Sequence, residues 1–431
     1  MRVILSGLQW MIFMIAGAIA APIAIADVYH LAPIETAELI QSTIIALGIA
    51  GFLQGIIGHR LPIHEGPAGL WWSIFTIYAS LVGVLYTSSI DALQALSGGM
   101  IISGVLFILL AVFKLIDKIA NLFTPTITFI YLLLLILQLS GSFMKGMMGI
   151  TSSNTTLDIN ILLLSVLVVC MTFWLGNSRF NILQRFSVII SILIGCFLFM
   201  IFGKIPSILP ADTLFKLPKL FPFGNPQFDI GTITTACFLT LLLITNVVAS
   251  IRLMESVMGE KQSIDRSRYV RAGFISGVNQ CISGCLGAVG SVPISGAAGF
   301  VEQTGIRERL SFLIGCGLVI VLSLLPPIMN IVAAIPAPIG YAVTFVIFVK
   351  MVGLAFKELK KVMHEERTFF VSGVSLLVGV GLMFVPPSAT IHLSPVTIAI
   401  FNNGLIFGSI LAIILEQILM WKERREEKLM Q

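Results

Sequence analysis

The sequence predicts an all-α polytopic membrane protein, and three observations carry that expectation. Hydrophobic residues make up 57% of the chain and charged residues only 11%, against about 25% charged in a soluble globular protein. Stretches such as 127–139, 159–175 and 188–202 hold no charge at all. The lysines and arginines gather in alternate loops. A surface so poor in charge cannot be covered by water, and the solvent it suits is lipid.

Apolar runs and their breakers divide the chain into about fourteen membrane segments: 5–25, 36–57, 68–84, 91–113, 123–144, 158–175, 181–202, 231–253, 271–288, 291–304, 309–329, 337–355, 368–386 and 396–421. The first has an early Arg and a late Ala-x-Ala, as a signal peptide does. So many apolar segments follow that it reads as the first membrane helix.

With fourteen spans and a cytoplasmic N-terminus, the outer loops keep only Lys145, Lys204, Lys216 and Lys219, and 22 of the 26 Lys and Arg face the cytoplasm. This is the positive-inside bias, with both termini cytoplasmic. The net charge of +5 is therefore a topology signal first, and the basic runs predict no nucleic-acid partner.

Segments three and ten depart from a simple spanning helix. Each opens with Gly and Pro, and the tenth is too short to cross. Pro62-Ile63-His64-Glu65-Gly66-Pro67-Ala68-Gly69 echoes Pro293-Ile294-Ser295-Gly296-Ala297-Ala298-Gly299 with one residue dropped. Seven segments per half is an odd number, so two such halves (1–203 and 228–422) are inverted. Interrupted segments at matching places in inverted halves point to a transport site near the midplane.

At such a site Gly66, Ala68, Gly69, Ser295, Gly296, Ala297 and Gly299 let backbone approach a ligand closely. Half-helices starting there aim their positive ends at it. The competing reading is close helix packing through small residues. Asn246 and Ser250 lie four apart on one face of segment eight, where an amide needs a partner. Gln9, Asn279, Gln280 and Thr304 are further polar candidates. Glu255, nine residues past Asn246, points to the opposite face near the cytoplasmic end and reads as an interfacial charge.

Six cysteines lie in apolar segments without a CxxC pair and read as small buried hydrophobes. Five histidines (His30, His59, His64, His364, His392) fall in loops, so no metal site is expected. Asn154 opens a short glycosylation sequon. No nucleophile, base and metal group gather at one depth, so no enzyme is expected.

Leu8-Gln9, GIIGHRLPIHEGPAG and SGCLGAVGSVPISGAAGFVEQTG (283–305) resemble motifs of the nucleobase–ascorbate transporters, also called the nucleobase:cation symporter-2 family. The resemblance implies two inverted seven-segment repeats, with short strands in segments three and ten meeting at the substrate. It implies a core domain of segments 1–4 and 8–11 and a gate domain of segments 5–7 and 12–14. It implies a nucleobase such as a purine or uracil as substrate, H+ or Na+ as coupling ion with Gln9 and Glu255 as candidates, and a homodimer through the gate. The setting it implies is the bacterial cytoplasmic membrane.

Departures accompany the resemblance. Gly296 and Ala297 stand where the family carries a carboxylate or amide and an Asn. Asn246 stands at the substrate-clamping Glu of segment eight, Ser250 at a His or Asp, and Trp10 at a His. An anion carrier of the sulfate-transporter type is the alternative, since two positive helix ends without a carboxylate favour an anion. A non-transporting membrane protein is the third expectation.

Overall fold

The computed structural model describes residues 2–430 apart from 121, 151–155, 181, 182, 185, 260–265, 364, 365 and 391. Asn154 and His364 lie outside the described residues.

The first half runs α1 (Arg2–Ala18), α2 (Ala20–Val28), α3 (Pro33–Ile56), β1 (Glu65–Pro67), α4 (Gly69–Ser80), α5 (Ser89–Val112), α6 (Ile116–Ala120), α7 (Pro125–Met147), α8 (Ile159–Gly176) and α9 (Ser187–Ile201). The second runs α10 (Ile230–Met258), α11 (Arg266–Leu286), β2 (Ser291–Pro293), α12 (Gly296–Thr304), α13 (Arg309–Ser323), α14 (Pro326–Ala333), α15 (Ala337–Lys360), α16 (Glu366–Met383), α17 (Pro395–Phe401) and α18 (Gly404–Met430).

Local chemistry sets many of these boundaries. Ser88 and Thr124 accept the N–H groups of Asp91 and Ile127 to start α5 and α7. Asp229 starts α10, and Gly259 ends it in a left-handed cap at φ 71°.

Each of the fourteen expected segments coincides with one helix, two successive helices or a strand and helix, yet the count of crossings differs. Nine of the described helices are long and apolar enough to cross a membrane, or ten if a bent pair is one span. The shortfall has physical causes. α4 and α12 are half-helices preceded by strand. α11 opens with the polar run RSRYVR. Pro326 and Pro327 cannot donate to the preceding turn, and the eleventh segment bends by 85° between α13 and α14. α9, in the seventh segment, has only 15 residues, short of a full crossing.

Two sets of helices pack among themselves. α1, α3, α5, α10, α11 and α13 form one, and α7, α8, α9, α15, α16 and α18 the other. In the first set α5 and α11 cross so closely that a Cβ on Gly104 would stand 2.5 Å from the Gly277 carbonyl oxygen. Leu163, Trp174, Leu193, Phe197, Leu377 and Phe384 point outward and stay exposed, an apolar surface suited to lipid.

The long connection at 203–230 forms no domain of its own. It lies as a strap across one end of the bundle. Gln41 Nε2 donates to Lys216 O (2.7 Å), Phe221 N to Cys285 O (2.7 Å) and Gln94 Nε2 to Phe223 O (2.7 Å). Lys216 and Lys219 both pair with Glu38.

Candidate functional site

The two interrupted segments meet as a two-stranded antiparallel ribbon. Glu65 faces Pro293, Gly66 faces Val292 and Pro67 faces Ser291. Ala68 N donates to Gly290 O (2.9 Å) and Ile294 N to His64 O (3.0 Å), extending the ladder at both ends. The prolines close the strands, where a missing N–H costs no ladder bond.

This pairing corrects the register of the internal echo. The local two-fold of the ribbon relates Pro67 to Pro293, Ala68 to Ile294 and Gly69 to Ser295. Pro62, matched to Pro293 by sequence, lies in the chain leading into β1. The repeated element is a proline that ends a strand just before a helix starts, rather than the Pro-Ile pair.

Neighbouring helices satisfy the free edges of the ribbon. Gln280 Nε2 donates to Ser291 O (2.6 Å), and Thr43 Oγ1 accepts Val289 N–H (3.2 Å). Ser250 Oγ donates to Pro293 O (2.9 Å) and lies 3.4 Å from Asn246 Oδ1. Asn279 reaches Ala50 O at 3.5 Å. Gln280 and Asn279 thus support the ribbon and its surroundings.

Behind the strands, α4 starts at Gly69 and α12 at Gly296, and neither has a side-chain cap. Uncapped first turns leave N–H groups and a positive dipole end available to a ligand. Some of the predicted backbone donors are already spent. Ala68 N–H bonds to Gly290 O, Ala297 N–H to Ile294 O (3.0 Å) and Ala298 N–H to Ser295 O (3.1 Å). Ala68 and Ala297 are fully buried. Gly69, Ser295 and Gly299 are half-buried and Gly296 is exposed.

Glycine surroundings separate packing from access. A Cβ on Gly66 would stand 2.6 Å from Ile294 Cγ1, so Gly66 serves the close approach of the strands. A Cβ on Gly299 would meet nothing within 4 Å, and one on Gly296 only Ile294. Helix packing therefore accounts for neither Gly296 nor Gly299. Gly69 looks toward the other helix set, towards Leu135 of α7 and Phe348 of α15. Beside it Trp72, Phe143 and Phe348 form an edge-to-face aromatic cluster, the Phe143 and Phe348 rings 4.9 Å apart.

Asn246 is half-buried and its amide nitrogen makes no hydrogen bond among the described residues. A free amide offers donors to a heterocycle. Gln9 on α1 is half-buried beside the buried Trp10, whose ring packs on Phe300 and Phe312. Thr304 sits at the far end of α12, about 12 Å along the axis from Gly296. Its hydroxyl donates to Phe300 O and accepts Ile306 N–H, which is a helix-ending role.

Glu255, expected as an interfacial charge, lies in the last turn of α10 and packs against protein. It is fully buried, 2.7 Å from Arg268 Nη1, and accepts the Tyr269 hydroxyl at 3.0 Å. His59 and His64, expected in loops, are indeed outside helices but buried. Burial, with the Arg268 charge nearby, pushes the His59 imidazole down to about 3. His59 Nδ1 accepts Leu61 N–H at 3.0 Å, shaping the chain into β1. Of the cysteines expected to be buried, only Cys316 is; Cys196, Cys237, Cys281 and Cys285 are half-buried, Cys170 is exposed on α8, and none of the six is paired.

The residue missed by sequence is Glu65. It is 2% exposed within β1, and neither carboxylate oxygen has a hydrogen-bond partner. It stands inside the repeated element, but its charge reads as a loop residue until the strand is seen. Among the described residues, no group of three or more His, Cys, Asp or Glu is placed to hold a metal ion.

Two interrupted spans that meet antiparallel inside a bundle of membrane-length helices define a polytopic membrane transporter. The model described as the Permease family, that of the xanthine and uracil permeases, matches residues 1–388, and the chain belongs to that family. The chain is 43% identical over 433 residues to YwdJ of Bacillus subtilis strain 168, whose description as a purine permease is provisional. That alignment covers 100% of this chain and 98% of YwdJ. Uric acid permease PucJ of the same organism is 24% identical, with 99% of this chain and 94% of PucJ covered.

Solved structures share the fold. The transmembrane domain of a cyanobacterial bicarbonate transporter, BicA, superposes with a TM-score of 0.64 at 15% identity, over 96% of this chain and 98% of that one. Murine Slc26a9, an anion transporter in its inward-facing state, gives 0.64 at 11% identity, over 97% and 69%. At these identities the likeness is one of fold.

Proposed function

We propose that the protein is a nucleobase permease, carrying purines or uracil across the bacterial cytoplasmic membrane by alternating access. The observation that carries the reading is the pair of uncapped helix ends at Gly69 and Gly296, with the free Asn246 amide held beside the ribbon through Ser250. The family supports it, and so do relatives described as permeases of uric acid and xanthine.

A base edge alternates donors and acceptors. Helix N–H groups would take its carbonyl oxygens, and the Asn246 amide would take a complementary pair of ring atoms. The set that holds α1, α3, α5 and the ribbon would act as core, and the set with α7, α15 and α18 as gate. The reading includes cytoplasmic termini and a homodimer through the gate, the dimer checked by the mass of the purified protein in detergent.

The test is competition. Bound labelled xanthine should be displaced by purines and uracil and not by bicarbonate, sulfate or chloride. Asn246→Leu should weaken binding by about 10–100-fold, the loss of one or two buried hydrogen bonds at about 1–3 kcal/mol. Unchanged binding in that variant would sink the assigned role. An anion carrier is the second reading, favoured by the shared fold of BicA and Slc26a9. It would be supported by anion uptake that no base displaces.

A further inference from the structure

The permease reading uses the helix ends and Asn246, and it leaves one buried charge without a task. Glu65 projects from β1 on the side away from Gly66, since successive strand residues alternate. Around it Met14, Ile15, Ala18, Ile44, Gly48 and Val319 line a cavity of about 10 Å³, room for one water at most. Behind them lies Cys316 of α13.

No lysine, arginine or histidine side chain is among these lining residues. α1 and α3 present hydrocarbon, glycine and the Met14 thioether to it, α13 adds the Cys316 thiol, and β2 adds the Ser291 hydroxyl. His64 precedes it but turns its ring toward Phe13, 5.0 Å between centroids. Ser291 shares the face of Glu65, and neither side chain makes a hydrogen bond of normal geometry.

A carboxylate in such a place is costly as an ion, while a carboxylic acid is not. A sodium ion would need several oxygen ligands, and the walls offer one hydroxyl. The ligand that fits is a single proton.

Glu65 is also joined to the binding residues. It faces Pro293 across the ladder, the Pro293 carbonyl holds Ser250, and Ser250 touches Asn246. Four residues on, its own strand becomes the open helix end at Gly69.

We propose that Glu65 binds the coupling proton: it takes up one proton when a base binds and gives it up on the other side of the membrane with the base. This rests on the permease reading. Base binding at the residues joined to Glu65 and protonation of Glu65 favour each other in this scheme. Linkage makes that preference reciprocal. No bond other than O–H forms or breaks, and the proton comes from water on one side and returns to water on the other.

The experiment compares wild type, Glu65→Gln and Glu65→Asp, each purified and reconstituted. Proton uptake on xanthine binding is read from calorimetry in buffers of different ionisation enthalpy. Accumulation is read under an imposed pH gradient, and exchange without one. With one proton per base, a gradient of about one unit drives at most about tenfold accumulation.

Wild type should take up about one proton per base and approach that ratio. Glu65→Gln should take up none and reach only equal concentrations inside and out, while exchange persists within about twofold. Glu65→Asp should keep proton uptake. Driven accumulation by Glu65→Gln would overturn the proposal. So would loss of binding in both variants as monodisperse protein, which would mean a structural role. If wild type bound no base, the permease reading itself would fall. The infrared carbonyl band of a protonated carboxyl, present in wild type and lost in Glu65→Gln, would then still support the proton site, and its absence from wild type would overturn it.

Discussion

Gly66 and Asn246 show what single residues contribute. Gly66 has no room for a Cβ because Ile294 stands 2.6 Å from where it would be. Gly66→Ala is expected to cost about 1–3 kcal/mol through overpacking of the ribbon, seen as a lower thermal midpoint. Gly299→Ala, with open space around it, should leave that midpoint unchanged. The opposite ranking would contradict the distinction between packing and access. Asn246 and Ser250 were legible because a four-residue spacing puts polar groups on one helical face. Glu65 was not, because nothing in one sequence says that a short charged stretch forms a buried strand. Backbone demand was half legible: glycines mark where the chain approaches closely, but not which N–H groups are already spent at Ala68 and Ala297.

At the scale of elements, the breaks matter more than the spans. Apolar runs locate every described helix long and apolar enough to cross, since lipid requires length and apolarity together. Breaks inside runs are subtler. The eleventh run, expected as one segment, bends at Pro326 and Pro327, and the true repeat, Pro67 matched with Pro293, needs the strand register to be seen. The Glu255–Arg268 pair with Tyr269 ties the last turns of α10 to α11. Removing the carboxylate by Glu255→Ala takes the 2.7 Å ion pair from Arg268 and the acceptor from Tyr269. The expected loss is about 2–3 kcal/mol, at the low end for buried pairs because Arg268 reaches solvent. Thermal unfolding in detergent checks it, and a change below about 0.5 kcal/mol would place Glu255 at the surface after all.

For the whole molecule, two helix sets contact each other where Gly69 looks toward Leu135 and Phe348, and where Tyr341 on α15 donates to Ala24 O and Asp27 Oδ2, both at 3.1 Å. A base bound at the helix ends would lie at that boundary, where a relative movement of the sets can expose it to either side. The fold permits other cargo, as its use by bicarbonate and anion transporters shows, so the site has to decide. The most direct measurement is uptake of labelled xanthine, hypoxanthine, guanine, urate and uracil into proteoliposomes holding the purified protein. The account predicts entry of at least one base, saturable and lost in Asn246→Leu. Entry of bicarbonate or sulfate with no entry of any base would contradict it.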